Sequence, residues 1–204
     1  LGIIAADLFL TLDGVYQAPG GRDEDREGGF AFGGWQAPYT DPEIGASIMS
    51  SIERTDALLL GRRTYEIFAS YWPFRPTSEP VAAKFAAIPK YVVSRTFEDP
   101  SWAGTTVLRD AAAVARLGDE FDEVHTWGSG ELLRSLLAEG RLDRLNLWMY
   151  PLVLGSGKRL FETGTVPTTF RPARPARVFD SGVMALALEP AGDVETGEVT
   201  PAEP

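Results

Sequence analysis

The sequence predicts an α/β fold in which a mostly parallel sheet is sandwiched between helices, and two observations carry that expectation. Short apolar runs such as "DALLLG", "KYVVSR" and "DEVHTW" recur along the chain. They are continuous rather than alternating, as in strands covered on both faces. Between them lie segments with helical periodicity, and strands alternating with helices along one length of chain call for a parallel sheet with helices on both sides.

The elements follow in order. "IIAADLFLTLDG" (3–14) is a buried strand closed by an Asp-Gly turn. Residues 17–34 hold six glycines and a charge cluster, the composition of a long loop of the kind that serves as a lid or binding loop. A helix then starts with Asp41 as N-cap, Pro42 at its first position and Glu43 in its first turn. Its Ile44, Ile48 and Ile52 share one face. "DALLLG" is a strand, "RRTYEIFASYW" a helix, "KYVVSR" (90–95) a strand and "TTVLRD" a short one. "AAAVARLG" reads as a helix stopped by Gly118, "DEVHTW" as a strand, and "SGELLRSLLAEG" as a helix closed by Gly140. "RLNLWMYPLVLG" (144–155) reads as one long strand. A connection rich in proline and arginine leads to "ARVFDSGVMALALEP", a final pair of strands. These elements make one domain over residues 1–190, and the acidic stretch 191–204 is expected to be loosely ordered.

Composition excludes several functions. The formal net charge of −10 argues against a nucleic-acid or anionic-membrane surface. With no cysteine, disulfides, thiolate zinc sites and cysteine nucleophiles are ruled out. A single histidine, His125, leaves little for a multi-histidine metal site or a serine–histidine relay, and a structural role inside its strand fits it better. No metal is expected. No apolar run reaches the roughly 20 residues of a membrane span. The apolar opening, which contains Asp7, lacks a basic leader region, so a cytoplasmic location is expected.

Parallel sheets place ligands outside the carboxyl ends of their strands. That rule picks out Asp13-Gly14, Gly61-Arg62, Ser94-Arg95 and Gly128-Ser129-Gly130. The leading amides of a helix are unpaired and stabilise an anion, and glycine lets a diphosphate approach the backbone. The dinucleotide fingerprint would need a third glycine where Leu133 stands, so a Rossmann site is not supported. Gly128-Ser129-Gly130 alone is either a tight corner or a phosphate seat. Arg62, Arg63 and Thr64 weigh toward the second, because arginines at a helix N-terminus oppose the dipole unless they meet an anion or a carboxylate such as Glu66.

Five segments in order, "LTLDGVYQAP" (10–19), "LLLGRRTYEIFASYWP" (58–73), "YVVSRT" (91–96), "WGSGELLRSLL" (127–137) and "YPLVLGSGKRLF" (150–161), resemble the dihydrofolate reductase-like family. The likeness is strongest to the group related to the reductase domain of bacterial riboflavin biosynthesis. The resemblance implies a three-layer fold whose mostly parallel central sheet carries antiparallel C-terminal strands. It implies NADPH as cofactor. Gly61, Arg62, Arg63, Thr64, Ser94, Arg95 and Thr96 would lie around the adenosine phosphate end, and Gly128, Ser129, Gly130 and Glu131 at the diphosphate. It further implies a homodimer acting on a small-molecule substrate.

Relatives in the riboflavin pathway reduce a ribosylaminopyrimidine phosphate, and dihydrofolate reductases hold their pteridine with an acid inside the helix after the first loop. Here that helix interior, "IGASIMSSI", has no acid. Asp13, at the end of the first strand, is the candidate catalytic polar group, its alternative being the aspartate of an ordinary turn. Trp35 and Tyr16 are candidates to cover a planar substrate, with a core position the alternative. Trp148 and Tyr150 are expected in the core or a dimer contact. The expected activity is NADPH-dependent hydride transfer to a small planar or carbonyl/imine substrate. The alternatives are a narrower riboflavin- or pterin-type reductase and a nucleotide-binding module without catalysis.

Overall fold

The computed structural model describes residues 2–198. Nine strands form one sheet: β1 (Ile3–Thr11), β2 (Ala57–Gly61), β3 (Lys90–Val93), β4 (Thr105–Leu108), β5 (Glu123–Trp127), β6 (Arg144–Tyr150), β7 (Phe170–Pro172), β8 (Arg177–Val178) and β9 (Met184–Pro190). The order is β4-β3-β2-β5-β1-β6-β9-β7, with β8 also on β9. The pairings from β4 to β6 are parallel, whereas β9 runs antiparallel to β6, β7 and β8.

The helices are α1 (Pro42–Arg54), α2 (Arg62–Tyr71), α3 (Pro80–Ala87), α4 (Ala111–Ala115), α5 (Leu117–Glu120) and α6 (Gly130–Ala138). Side chains alternate across the strands, so the central strands feed two cores. Ile4, Ala6, Leu8 and Leu10 of β1 pack with Val114, Leu117, Leu133 and Leu136 of α4–α6. On the opposite face Leu58, Leu60, Trp127, Trp148 and Tyr150 pack with Ile44, Ile52, Tyr65 and Phe85 of α1–α3. The result is the three-layer arrangement expected.

Local chemistry sets the boundaries. Asp41 caps α1 by accepting from the Glu43 amide at 2.7 Å, with Pro42 behind it. The expected strand 144–155 stops at Tyr150: Pro151 has no N–H to donate, and the Leu152 amide turns back onto the Tyr150 carbonyl at 2.8 Å. Gly118 does not end a helix; α4 gives way at Arg116 to α5, which contains Gly118. Sequence patterning also missed α3 and β7. The first is short and lies among prolines, and the second is three residues inside the connection taken as irregular. In the expected loose tail, Thr169 pairs with the backbone of Ala191 and Gly192, while residues 199–204 lie outside those described.

One polar cluster interrupts the apolar interior. Asp7, 1% exposed in the middle of β1, accepts from Ser51 Oγ of α1 at 2.6 Å and from Asn146 Nδ2 of β6 at 3.1 Å. Its other oxygen lies 2.6 Å from His125 Nδ1, and His125 Nε2 lies 2.9 Å from Glu123 Oε2. Burial works against a charged imidazole, but Asp7 and Glu123 outweigh it and hold the His125 pKa above its ordinary value. His125 is the structural histidine its strand position implied.

Candidate functional site

The carboxyl ends of β3, β2, β5 and β1 lie side by side, and the chain leaves β2 and β5 directly into α2 and α6. A cleft of about 1080 Å³ opens there. Neither α2 nor α6 has a side-chain cap, so two sets of leading amides and two positive dipole ends meet the same cleft. Ser129 at the head of α6 adopts a left-handed conformation (φ 58°), and its hydroxyl accepts from the Gly61 amide at 3.0 Å instead of capping its own helix. That bond ties the two helix starts together. Gly128 is also left-handed (φ 68°). Gly130 allows a close approach: a Cβ there would lie 2.6 Å from the Tyr16 ring.

The expected phosphate contacts come together. Gly61, Arg62, Arg63, Thr64, Ser94, Arg95, Gly128, Ser129, Gly130 and Glu131 all line the cleft. Thr96 does not; its amide turns toward Ser94 Oγ at 3.4 Å. Arg62 makes the Glu66 ion pair at 2.8 Å that its spacing allowed, and its guanidinium lies 5.7 Å from the Phe97 ring centre. Arg63 pairs with Glu27 of the long loop. Arg95 is exposed, and among the described residues it pairs with no carboxylate.

Three further cations line the cleft: Arg109, Arg134 and Lys158. Arg109 donates to the Ser94 and Phe97 carbonyls at 3.1 and 2.8 Å, so it braces the turn after β3. It follows "TTVL" as Arg95 follows "YVVS", and the strand-end rule could have found it. Lys158 contacts Asp25 and Glu27 at 2.5 and 2.6 Å, pinning the long loop from the far side. Lys158 and Arg63 lower the Glu27 pKa to about 2. No sequence signal joins residues so far apart.

A second cavity of about 1030 Å³ adjoins the first and shares with it both apolar residues, among them Phe9, Phe68 and Trp127, and the charged Glu24, Asp25, Glu27, Arg63 and Glu66. Helix α1 faces it with Ile48 and Ile52. The candidate substrate residues are placed elsewhere. Tyr16 lines the first cleft, where burial raises its phenol pKa against the pull of Arg134 and Lys158. Trp35, 6% exposed, donates to the Gln17 carbonyl at 2.8 Å and meets Tyr150 edge-on, as a core aromatic under the loop. Asp13 lines neither cavity. It accepts from Thr11 Oγ1 (2.6 Å) and from the Leu154 and Gly155 amides, and it pairs with Arg159. Burial opposes its charge, but these donors lower its pKa to about 2. Trp148 and Tyr150 are buried in the core at 2% and 0% exposure.

No group of metal-ligating side chains occurs among the described residues, and none of their helices is long and apolar enough to cross a membrane.

Known proteins share this architecture. A protein assigned to riboflavin biosynthesis from a Shewanella species superposes with a TM-score of 0.72 at 17% identity, covering 93% of this chain and 99% of that one. The dihydrofolate reductase of Enterococcus faecalis, complexed with NADP(H) and RAB-propyl, gives 0.59 at 16% identity over 93% and 96%. A pyrimidine reductase-like protein of Corynebacterium diphtheriae gives 0.57 at 13% over 94% and 93%. In sequence, the Bacillus subtilis protein YyaP is 24% identical over 190 residues, covering 90% of this chain and 92% of its own length. The family model described as the RibD C-terminal domain matches residues 3–184, and with the cleft and the sheet order in agreement, the chain belongs to that family of reductases.

Proposed function

We propose that this protein is an NADPH-dependent reductase that transfers hydride to a small planar or carbonyl/imine substrate. The convergence of two uncapped helix starts and several arginines on one cleft carries this reading. The residues fit the cofactor. The α6 start, from Gly128 to Glu131, would take the diphosphate through backbone amides. Arg62, Ser94 and Arg95, with Arg109 bracing them, would take the 2′-phosphate, since a guanidinium is planar and always charged. When bound, NADPH supplies the hydride. The protein's part is to orient both partners around Phe9 and Trp127, where the two cavities meet, and to exclude water there with an aromatic wall.

Titration should show tighter binding of NADPH than of NADH. Removing a charge-assisted contact costs about 1.5–3 kcal/mol, so Arg62→Ala should weaken NADPH at least about tenfold and leave NADH nearly unchanged. Equal affinity for both nucleotides, or an unaffected variant, would remove the specific claim.

The proposal includes a homodimer. Leu12 and Val153 support it: they are 52% and 66% exposed on the neighbouring segments that follow β1 and β6, joined by the Leu12 amide and the Leu152 carbonyl at 2.9 Å. Light scattering should give twice the chain mass, falling to one chain in Leu12→Glu/Val153→Glu.

A further inference from the structure

The second cavity differs in chemistry from the cofactor cleft. Phe9, Ile48, Ile52, Phe68, Trp72 and Trp127 make its walls. Five carboxylates, Asp23, Glu24, Asp25, Glu27 and Glu66, line it with two arginines, and all but Asp23 also line the cofactor cleft. Both arginines are already engaged, Arg26 by Asp23 and Arg63 by Glu27. No lysine lines it.

We infer that this cavity takes a flat, largely apolar ring system bearing a cationic or hydrogen-bond-donating nitrogen, and that it discriminates against phosphorylated ligands. As the identity of a substrate this rests on the reductase reading; as a binding preference it stands apart from it. Three arguments support it. The faces of aromatic rings carry negative potential and attract cations, most strongly where water is excluded. A phosphate monoester brings about −1.5 to −2 charges at neutral pH, and a rim whose cations are all engaged by carboxylates offers it no counter-charge. The apolar walls offer a phosphate or a ribose few partners for oxygens stripped of water. The molecule therefore offers its two ligands different partners, with uncapped helix amides and the exposed Arg95 at the strand ends and an aromatic chamber without a free cation beside them.

Equilibrium dialysis with three matched probes tests this: 2-naphthylmethylammonium, 2-naphthalenemethanol and 2-naphthyl phosphate. The ammonium should bind at least about tenfold tighter than the phosphate at low salt, with the alcohol between, and the gap should close as salt is raised. Asp23→Asn/Glu66→Gln, at two surface positions, should narrow the gap. Ile48→Trp, which fills the cavity, should abolish ammonium binding while the NADPH dissociation constant stays unchanged. Phosphate binding as tight as the ammonium, a gap unmoved by the double variant, or ammonium binding that survives Ile48→Trp would each overturn the inference. A wild-type protein that ranks the probes as expected but does not bind NADPH would sink the reductase reading and leave this preference standing.

Discussion

A carboxylate in the middle of an apolar strand is costly unless every lone pair finds a partner, and Asp7 finds three. Breaking such a buried pair from one side costs about 3–5 kcal/mol, so His125→Gln should lower the unfolding free energy read from urea titration by an amount of that order. The pH dependence follows from the raised imidazole pKa. A group whose folded pKa exceeds its unfolded value stabilises fully below the unfolded value, near 6.5 for histidine. The contribution fades as pH rises through the folded value. The gap between wild type and His125→Gln should therefore be widest near pH 6 and shrink on the alkaline side; a gap that grows with pH would contradict the charged pair. The histidine's structural role was legible from its place in a strand. The rest of the cluster was not, because Ser51 and Asn146 meet Asp7 only once α1 and β6 are packed.

At the scale of elements, strand ends were the legible part. Apolar runs closed by Gly61, Ser94 and Gly128 located the cleft, because a parallel strand buried on both faces must end where polar residues begin. Two prolines spoiled the reading elsewhere: Pro151 cut a strand that hydropathy extended, and Pro80 started a helix that patterning passed over. The start of α6 makes a direct test possible. Gly130→Ala puts a methyl carbon against the Tyr16 ring, which must move into the cleft or away from it. The expected result is NADPH binding weakened about tenfold with little change in unfolding temperature. Tyr16→Ala should restore much of it in the double variant, an interaction energy within the 0.5–3 kcal/mol that contacting residues show. If the two substitutions combine additively, the close approach is not what shapes the anion seat.

Across the whole molecule, what the sequence could not supply was order in space. Chain order runs β1, β2, β3, β5, whereas the sheet runs β3-β2-β5-β1, and only that rearrangement sets Gly61 beside Ser129. Long-range pairing also explains why Asp13 read as a catalytic candidate. An Asp-Gly at a strand end looks open in sequence, but the segment after β6 folds back to occupy both of its oxygens. The same return brings Lys158 onto Asp25 and Glu27 across more than 130 residues.

That clasp has a consequence for proteolysis. The segment it holds carries Arg22 and Arg26, both exposed, and trypsin needs several residues of extended, mobile chain around such a bond. While Lys158 and Arg63 grip the acids, the segment is held in a shape a protease cannot thread. Lys158→Met should therefore speed tryptic nicking at Arg22 or Arg26 well beyond any change in global unfolding. Raising salt should do part of the same in the wild type, since the grip is partly exposed to solvent and open to screening. Nicking rates that ignore both changes would mean that the glycines of the loop, and not its charges, set its shape.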